Sequence, residues 1–181
     1  MDVREHLELS WSWRVLHNEL AAIGRGEIVT ERLDLRRIYL STFMTMVEGV
    51  AYQIRQYLLK KHSQGDIKIS PEEVTELSKD FYRTSDMFKL TWRTFGKYLD
   101  KADVVDHYFS NAGMASMMAT ITKRNLVTHP KQFPDLCLSA VDWKEVRKAS
   151  AWHHEMTNRV LEGNIYDVSE VPEEGTSEYE P

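Results

Sequence analysis

Apolar side chains recur at intervals of three and four residues along nearly the whole chain, and nowhere do they alternate with polar ones for long. This spacing places them on one face of an α-helix, whereas a half-buried strand requires alternation. One such stripe contains Phe43, Met46, Val50, Ile54 and Tyr57. The pattern therefore predicts an all-α fold, an antiparallel bundle of four to five helices.

The stripes and the residues that start or stop helices predict five helical segments. They cover about residues 2–23, 30–62, 71–99, 104–129 and 142–162. The run Ser70-Pro71-Glu72-Glu73 supplies an N-cap, a proline at the first helical position and a capping-box acid. The helix that it starts is expected to kink near residues 84–86. Pro130 should end the fourth helix at or near His129, because α geometry is disfavoured before proline.

The charge distribution divides the chain into a body and a tail. The 181 residues are 42% apolar and 28% charged, which suits a globular domain. Residues 163–181 hold six of the 28 acidic residues and none of the 23 basic ones, so residues 1–162 carry a net charge of +1. We predict a helical domain over 1–162 and a disordered acidic tail over 163–181. The tail either aids solubility or competes with nucleic acid for a basic cleft.

Several classes of protein are not expected. The chain has no run of 18 apolar residues, so we predict no membrane span and no membrane partner. Asp2, Arg4 and Glu5 stand where a secretory signal would be apolar. With Cys137 as the one cysteine, neither an intrachain disulfide nor a cysteine metal cage can form, and a cytoplasmic location is expected.

The sequence also lacks the common cofactor and metal motifs. No Glu-x-x-His occurs, and the run from His154 to Asn158 begins like a zinc-protease helix but ends in Asn where the second His is needed. Neither a Walker loop nor a dinucleotide fingerprint is found. We therefore predict no metal and no cofactor. His153 lies on an apolar stripe and is interpreted as a core residue.

A polar and basic cluster interrupts the Met- and Ala-rich fourth helix near its end. Its core is Arg124-Asn125-x-x-x-His129. This cluster resembles the signature of the HEPN superfamily, the higher eukaryotes and prokaryotes nucleotide-binding domain, in which four to six residues separate an Arg from a His and a polar residue often follows the Arg. Arg55 and His62 also have a permitted spacing, but only Arg124 is followed by Asn. The alternative is a helix end whose basic residues complement the dipole.

The resemblance implies a HEPN-like helical fold and a metal-independent endoribonuclease, and the residue types suit that reaction. His129 is the candidate general acid or base, because a histidine imidazole can exchange protons near neutral pH. The guanidinium of Arg124 can grip a phosphate and stabilise transition-state charge. Asn125 can orient the imidazole or bind the phosphate.

Other polar residues near the motif are predicted to support it. Thr128 is a further hydrogen-bond donor, and Lys123 and Lys131 would attract RNA phosphates without sequence preference. Glu48, amid apolar neighbours in the second helix, is a further candidate that faces the site, or else a helix-flank acid paired with Arg55.

Helix geometry adds an expectation about assembly. Five residues turn through about 500°, which leaves Arg124 and His129 about 140° apart around the axis. The resemblance implies a homodimer whose two motifs share one cleft. It leaves open a toxin, phage-defence or RNA-processing role, with an antitoxin or regulatory protein as a partner. The alternative is a non-catalytic HEPN-like module that binds nucleotide, RNA or a protein.

Overall fold

The computed structural model describes residues 33–79 and 83–161, and it folds them into a bundle of packed helices. These residues form six α-helices, namely α1 (Leu33–Ser63), α2 (Pro71–Leu77), α3 (Thr84–Tyr98), α4 (Ala102–Ser110), α5 (Ala112–Thr128) and α6 (Ala140–Leu161). A 3₁₀-helix, Phe133–Leu136, lies between α5 and α6. The all-α prediction is confirmed. The helix predicted over 2–23 and the acidic tail over 163–181 lie outside the described residues.

Two segments predicted as single helices are each divided in two. The expected kink at residues 84–86 is instead the start of α3, after a break that follows Leu77. The hydroxyl of Ser78 donates to the carbonyl of Val74 at 2.7 Å and helps to close α2. The second break falls at Asn111, whose side-chain oxygen accepts from the backbone N–H of Gly113 at 2.9 Å. This is the bond of an N-cap, and it starts α5 as a new helix.

The predicted helix signals at Ser70 and Pro130 are confirmed. The Ser70 hydroxyl accepts from the backbone N–H of Glu73 at 3.1 Å, and the Glu73 carboxylate accepts from the backbone N–H of Ser70 at 3.4 Å. This reciprocal pair is a capping box. At the Pro130 signal, α5 ends at Thr128, and His129 is its C-cap. The motif histidine therefore lies at the end of the helix.

The core is built on the predicted stripe of α1. Phe43, Met46, Val50, Ile54 and Tyr57 are all buried.

His153 on α6 is a core residue, as predicted. Its ring centroid lies 6.0 Å from that of Phe43 and 5.9 Å from those of Phe88 and Trp92. Burial lowers the pKa of His153 to about 3, so the imidazole is neutral at physiological pH.

Helices α5 and α6 pack as antiparallel neighbours, and this packing fixes the position of the motif. Near the start of α5, a Cβ added at Gly113 would lie 2.0 Å from the Cδ1 atom of Trp152, so the absence of a side chain permits the close approach. The Ser116 hydroxyl donates to Glu145 at 2.6 Å. Further along, the Lys123 ammonium lies 3.4 Å from Asp142. These contacts tie α5 to α6 up to the residue that precedes Arg124.

Candidate functional site

Arg124 connects α5 to α1 through its guanidinium. Nη2 donates to the Glu48 carboxylate at 2.9 Å, and Nη1 donates to the Asn125 side-chain oxygen at 3.2 Å. The side chains of Arg124 and Glu48 are 28% and 34% exposed, so the pair is partly shielded from water but open to solutes. The guanidinium is thereby held in one orientation at the protein surface.

Glu48 faces the motif and does not pair with Arg55. The Arg55 guanidinium instead donates to the backbone carbonyl of Lys79 at 3.1 Å. The hydroxyl of Thr84, the first residue of α3, lies 3.5 Å from the other carboxylate oxygen of Glu48, at the outer limit of a hydrogen bond. The start of α3 therefore meets the Glu48–Arg124 pair that links α1 to α5.

His129 is exposed at the C-terminal end of α5. Its backbone N–H donates to the carbonyl of Asn125 at 2.9 Å, which continues the helical pattern by one residue. Within the described part of the chain, its imidazole makes no hydrogen bond or ion pair. The ring can therefore accept or donate a proton to a molecule that binds from solvent.

The loop after His129 is held by Asp135. The Asp135 carboxylate accepts from the backbone N–H groups of Lys131 at 2.9 Å and Gln132 at 3.1 Å. These backbone hydrogen bonds, that from Lys131 foremost, lower the pKa of Asp135 below its usual value, because they favour the ionised form. The chain that follows the motif is thus fastened by a carboxylate that remains charged at neutral pH.

The remaining predicted residues do not all face the same way. The Lys123 side chain is only 14% exposed and forms its ion pair with Asp142 on α6. The Thr128 hydroxyl donates to the backbone carbonyl of Arg124 at 2.9 Å, within its own helix. Lys131 is exposed in the loop. The structure therefore brings Arg124, Asn125 and Glu48 together and turns Lys123 toward α6.

A polar cavity of about 470 Å³ opens between α3 and α5, beside the motif. Its lining consists of Arg83, Thr84, Ser85, Met118, Ile121, Thr122 and Asn125. Of these, only Asn125 was a candidate from the sequence. Thr122 had a signal, because it precedes Asn125 by three residues and His129 by seven, which places all three on one helix face. Arg83 and Ser85 had none, since their approach to α5 depends on tertiary packing.

A second cavity, of about 290 Å³, lies between α1 and α3. It is lined by Glu48, Ala51, Tyr52, Arg55, Thr84, Met87 and Phe88. The two cavities share Thr84, and the second also includes Glu48, the ion-pair partner of Arg124. The candidate site is therefore a pair of adjoining cavities, one lined by Asn125 and the other by Glu48, and these two residues hold the guanidinium of Arg124.

Comparison with known proteins adds no assignment: no family model matches the chain, and neither a curated protein nor a solved structure does. Among the described residues, no three His, Cys, Asp or Glu side chains are grouped as metal ligands would be. None of the described helices is long and apolar enough to cross a membrane.

Proposed function

We propose that this protein is a metal-independent endoribonuclease of the HEPN type that acts as a homodimer. The observation that carries the proposal is the setting of Arg124. Its guanidinium is held by Glu48 and Asn125 beside a polar cavity, and the imidazole of His129 is exposed one helical turn beyond Asn125. A fixed cation and an accessible proton-transfer group are what RNA cleavage without a metal requires.

The proposed reaction uses the RNA's own 2′-hydroxyl as the nucleophile. A base removes the hydroxyl proton, the 2′-oxygen bonds to phosphorus, and the bond from phosphorus to the 5′-oxygen breaks. The departing 5′-oxygen takes up a proton, so the products are a 2′,3′-cyclic phosphate and a 5′-hydroxyl. His129 exchanges these protons, and Arg124 stabilises charge on the non-bridging oxygens.

The homodimer is proposed because the family resemblance implies one and because helix geometry separates the two motif side chains. Arg124 and His129 lie about 140° apart around a regular helix, so the histidine of one copy would complement the arginine of the other. Two exposed apolar side chains lie near the motif in sequence or space. Leu126 is 38% exposed, and Val141, 71% exposed, adjoins the Asp142 that pairs with Lys123. Burial of these side chains between two copies would favour association.

The cellular setting of this activity belongs to the same proposal. An endoribonuclease of this kind would serve in the cytoplasm as a toxin, in phage defence or in RNA processing. An antitoxin or regulatory protein would then bind near the motif and block access of RNA to it.

A second candidate is a HEPN-like module that binds nucleotide, RNA or a protein without cleaving. The observation that favours it is the ion pair itself, because Glu48 neutralises Arg124 and joins α1 to α5. That contact gives Arg124 a structural role that requires no reaction. In such a module, the ligand would still bind to the cavity beside Asn125 after His129 is replaced.

The deciding experiment measures cleavage of a labelled structured RNA in EDTA by wild type, Arg124→Ala and His129→Ala. Arg93→Ala and His107→Ala serve as matched controls, because both residues are exposed on other helices. We expect the wild type and both controls to leave 2′,3′-cyclic or 3′-phosphate ends and the two motif variants to lose activity. Equal cleavage by all five proteins would refute the proposal. RNA binding without cleavage by the wild type would favour the second candidate.

A further inference from the structure

Tyr52 presents an aromatic ring at the mouth of the cavity between α1 and α3. Its side chain is 56% exposed. The Arg55 guanidinium lies 5.2 Å from the centroid of its ring. An exposed aromatic ring beside a guanidinium is the combination on which bases of single-stranded nucleic acids stack.

The cavity has the size and lining of a site for a small planar group. Its volume of about 290 Å³ is near the lower end of the range found for small-molecule sites, roughly 300 Å³. Ala51, Met87 and Phe88 give it apolar walls, and Glu48 and Arg55 supply charged groups. Apolar walls with a few polar groups are typical of pockets that fix one ligand in one orientation.

The cavity also lies next to the proposed catalytic group. Glu48 lines it with Oε1 able to accept further hydrogen bonds: among the described residues, Oε2 accepts from Arg124 at 2.9 Å while Oε1 has only a 3.5 Å contact with Thr84. A base in the cavity would therefore lie next to the carboxylate that holds the Arg124 guanidinium. The cavity is suited to the nucleotide that adjoins the scissile bond.

We propose that this cavity is a nucleobase-binding pocket, in which a base of the RNA substrate stacks on Tyr52 and hydrogen-bonds to Glu48. The proposal rests on the endoribonuclease function for the identity of its ligand. A carboxylate only accepts hydrogen bonds, so it selects for donors on the base. Adenine, cytosine and guanine each offer an exocyclic amino group with two N–H donors, whereas uracil offers only its N3–H. The pocket therefore prefers adenine, cytosine or guanine to uracil.

Binding of uncleavable RNA tests the pocket separately from catalysis. The probes are 2′-O-methyl tetranucleotides of adenine, cytosine or uracil, and the proteins are wild type, Tyr52→Ala, Tyr52→Phe and Ile38→Ala. Ile38 is the matched control, since it is a large exposed residue on the same helix and is 50% exposed. Circular dichroism checks that each variant retains its helices.

Tyr52→Ala removes the stacking partner, so we expect it to bind the adenine and cytosine probes at least about fivefold more weakly, a change of about 1 kcal/mol. Tyr52→Phe and Ile38→Ala should stay within about twofold of wild type, because the first keeps the ring and the second lies outside the pocket. The uracil probe should bind more weakly than the other two to wild type. Glu48→Gln, which can donate as well as accept, should reduce that difference.

Each outcome bears on the pocket and on the catalytic proposal in a distinguishable way. Unchanged affinity in Tyr52→Ala overturns the pocket, even if the wild type cleaves RNA and requires Arg124 and His129. Tyr52-dependent binding by a wild type that cleaves no RNA supports the pocket and removes the catalytic proposal. A wild type that binds none of the probes overturns the pocket. Equal affinity for all three probes overturns the assignment of Glu48 as the base-reading group.

Discussion

The carboxylate of Glu48 accepts a hydrogen bond from the guanidinium of Arg124 at 2.9 Å, although the two residues are 76 positions apart in the chain. This contact crosses from α1 to α5 and is roughly one-third exposed at both ends. It fixes the direction of the cation on which the proposed phosphate site depends. Its strength and its effect on activity can be measured separately.

Glu48→Ala should lower the free energy of unfolding modestly. A partly exposed ion pair contributes about 0.2–1 kcal/mol, and solvent screening keeps this pair in that range. A double-mutant cycle of Glu48→Ala and Arg124→Ala, followed by urea denaturation, should give a coupling energy of about that size. A coupling energy of zero would mean that the contact does not hold Arg124 in solution.

His153 should make stability fall as the pH is lowered. Burial places its pKa at about 3 in the folded protein, against about 6.5 in the unfolded chain, so only the unfolded chain takes up a proton between these values. The contribution of the neutral His153 to the free energy of unfolding is complete above pH 6.5. Below that pH the free energy of unfolding falls by about 1.4 kcal/mol per pH unit, or roughly 2 kcal/mol between pH 7 and pH 5.

Urea denaturation across this pH range checks the role of His153. His153→Leu should have a shallower dependence of unfolding free energy on pH than the wild type. His107→Leu is the control, because His107 is exposed on α4 and its replacement should leave the pH dependence close to that of the wild type. Identical slopes in all three proteins would contradict the buried neutral state of His153.

Gly113→Ala should destabilise the protein through the contact of α5 with α6. Its Cβ would lie 2.0 Å from Trp152, so the indole would have to shift and strain its 3.2 Å hydrogen bond to the carbonyl of Tyr108. We expect a loss of about 1–3 kcal/mol. Gly49→Ala is the matched control, because nothing lies within 4 Å of its added Cβ on α1.

Gly49→Ala should raise stability by roughly 0.5–1 kcal/mol, since alanine is favoured over glycine in a helix interior. Thermal denaturation of the two variants should therefore shift the midpoint in opposite directions. A higher midpoint for Gly113→Ala would show that the two helices do not approach this closely.

The two lysines that flank the motif, Lys123 and Lys131, should differ in their effect on RNA affinity. Lys131 is exposed, and on the proposed function its replacement by Ala should reduce the slope of log affinity against log salt by about 0.7, the value for one contact with single-stranded RNA. Lys123 is engaged with Asp142 and only 14% exposed, so Lys123→Ala should change the slope less. Titration of a labelled RNA at several salt concentrations distinguishes the two variants. Equal slopes for Lys123→Ala and Lys131→Ala would contradict the prediction that Lys131 contacts an RNA phosphate and Lys123 does not.

Much of the fold was predictable because its signals are local. The stripe of α1 and the cap at Ser70 depend on contacts within one or two turns of the chain, and both are confirmed. The break at Asn111 had a local signal as well, since Asn is a preferred N-cap, but the apolar stripe on both sides suggested one continuous helix. The break after Leu77 had weaker signals, and the sequence pattern predicted only a kink near residues 84–86.

The sequence by itself determined the helical class, the ends of the best-marked helices and the presence of an Arg and a His near the C-terminal end of one of them. Only the tertiary structure decided that Glu48 faces Arg124, that Lys123 faces Asp142 and that Tyr52 borders a cavity. The physical reason is one of range. Helix formation follows from neighbours within four residues, whereas these pairings depend on how whole helices pack, and that packing is set by contacts between residues far apart in the chain.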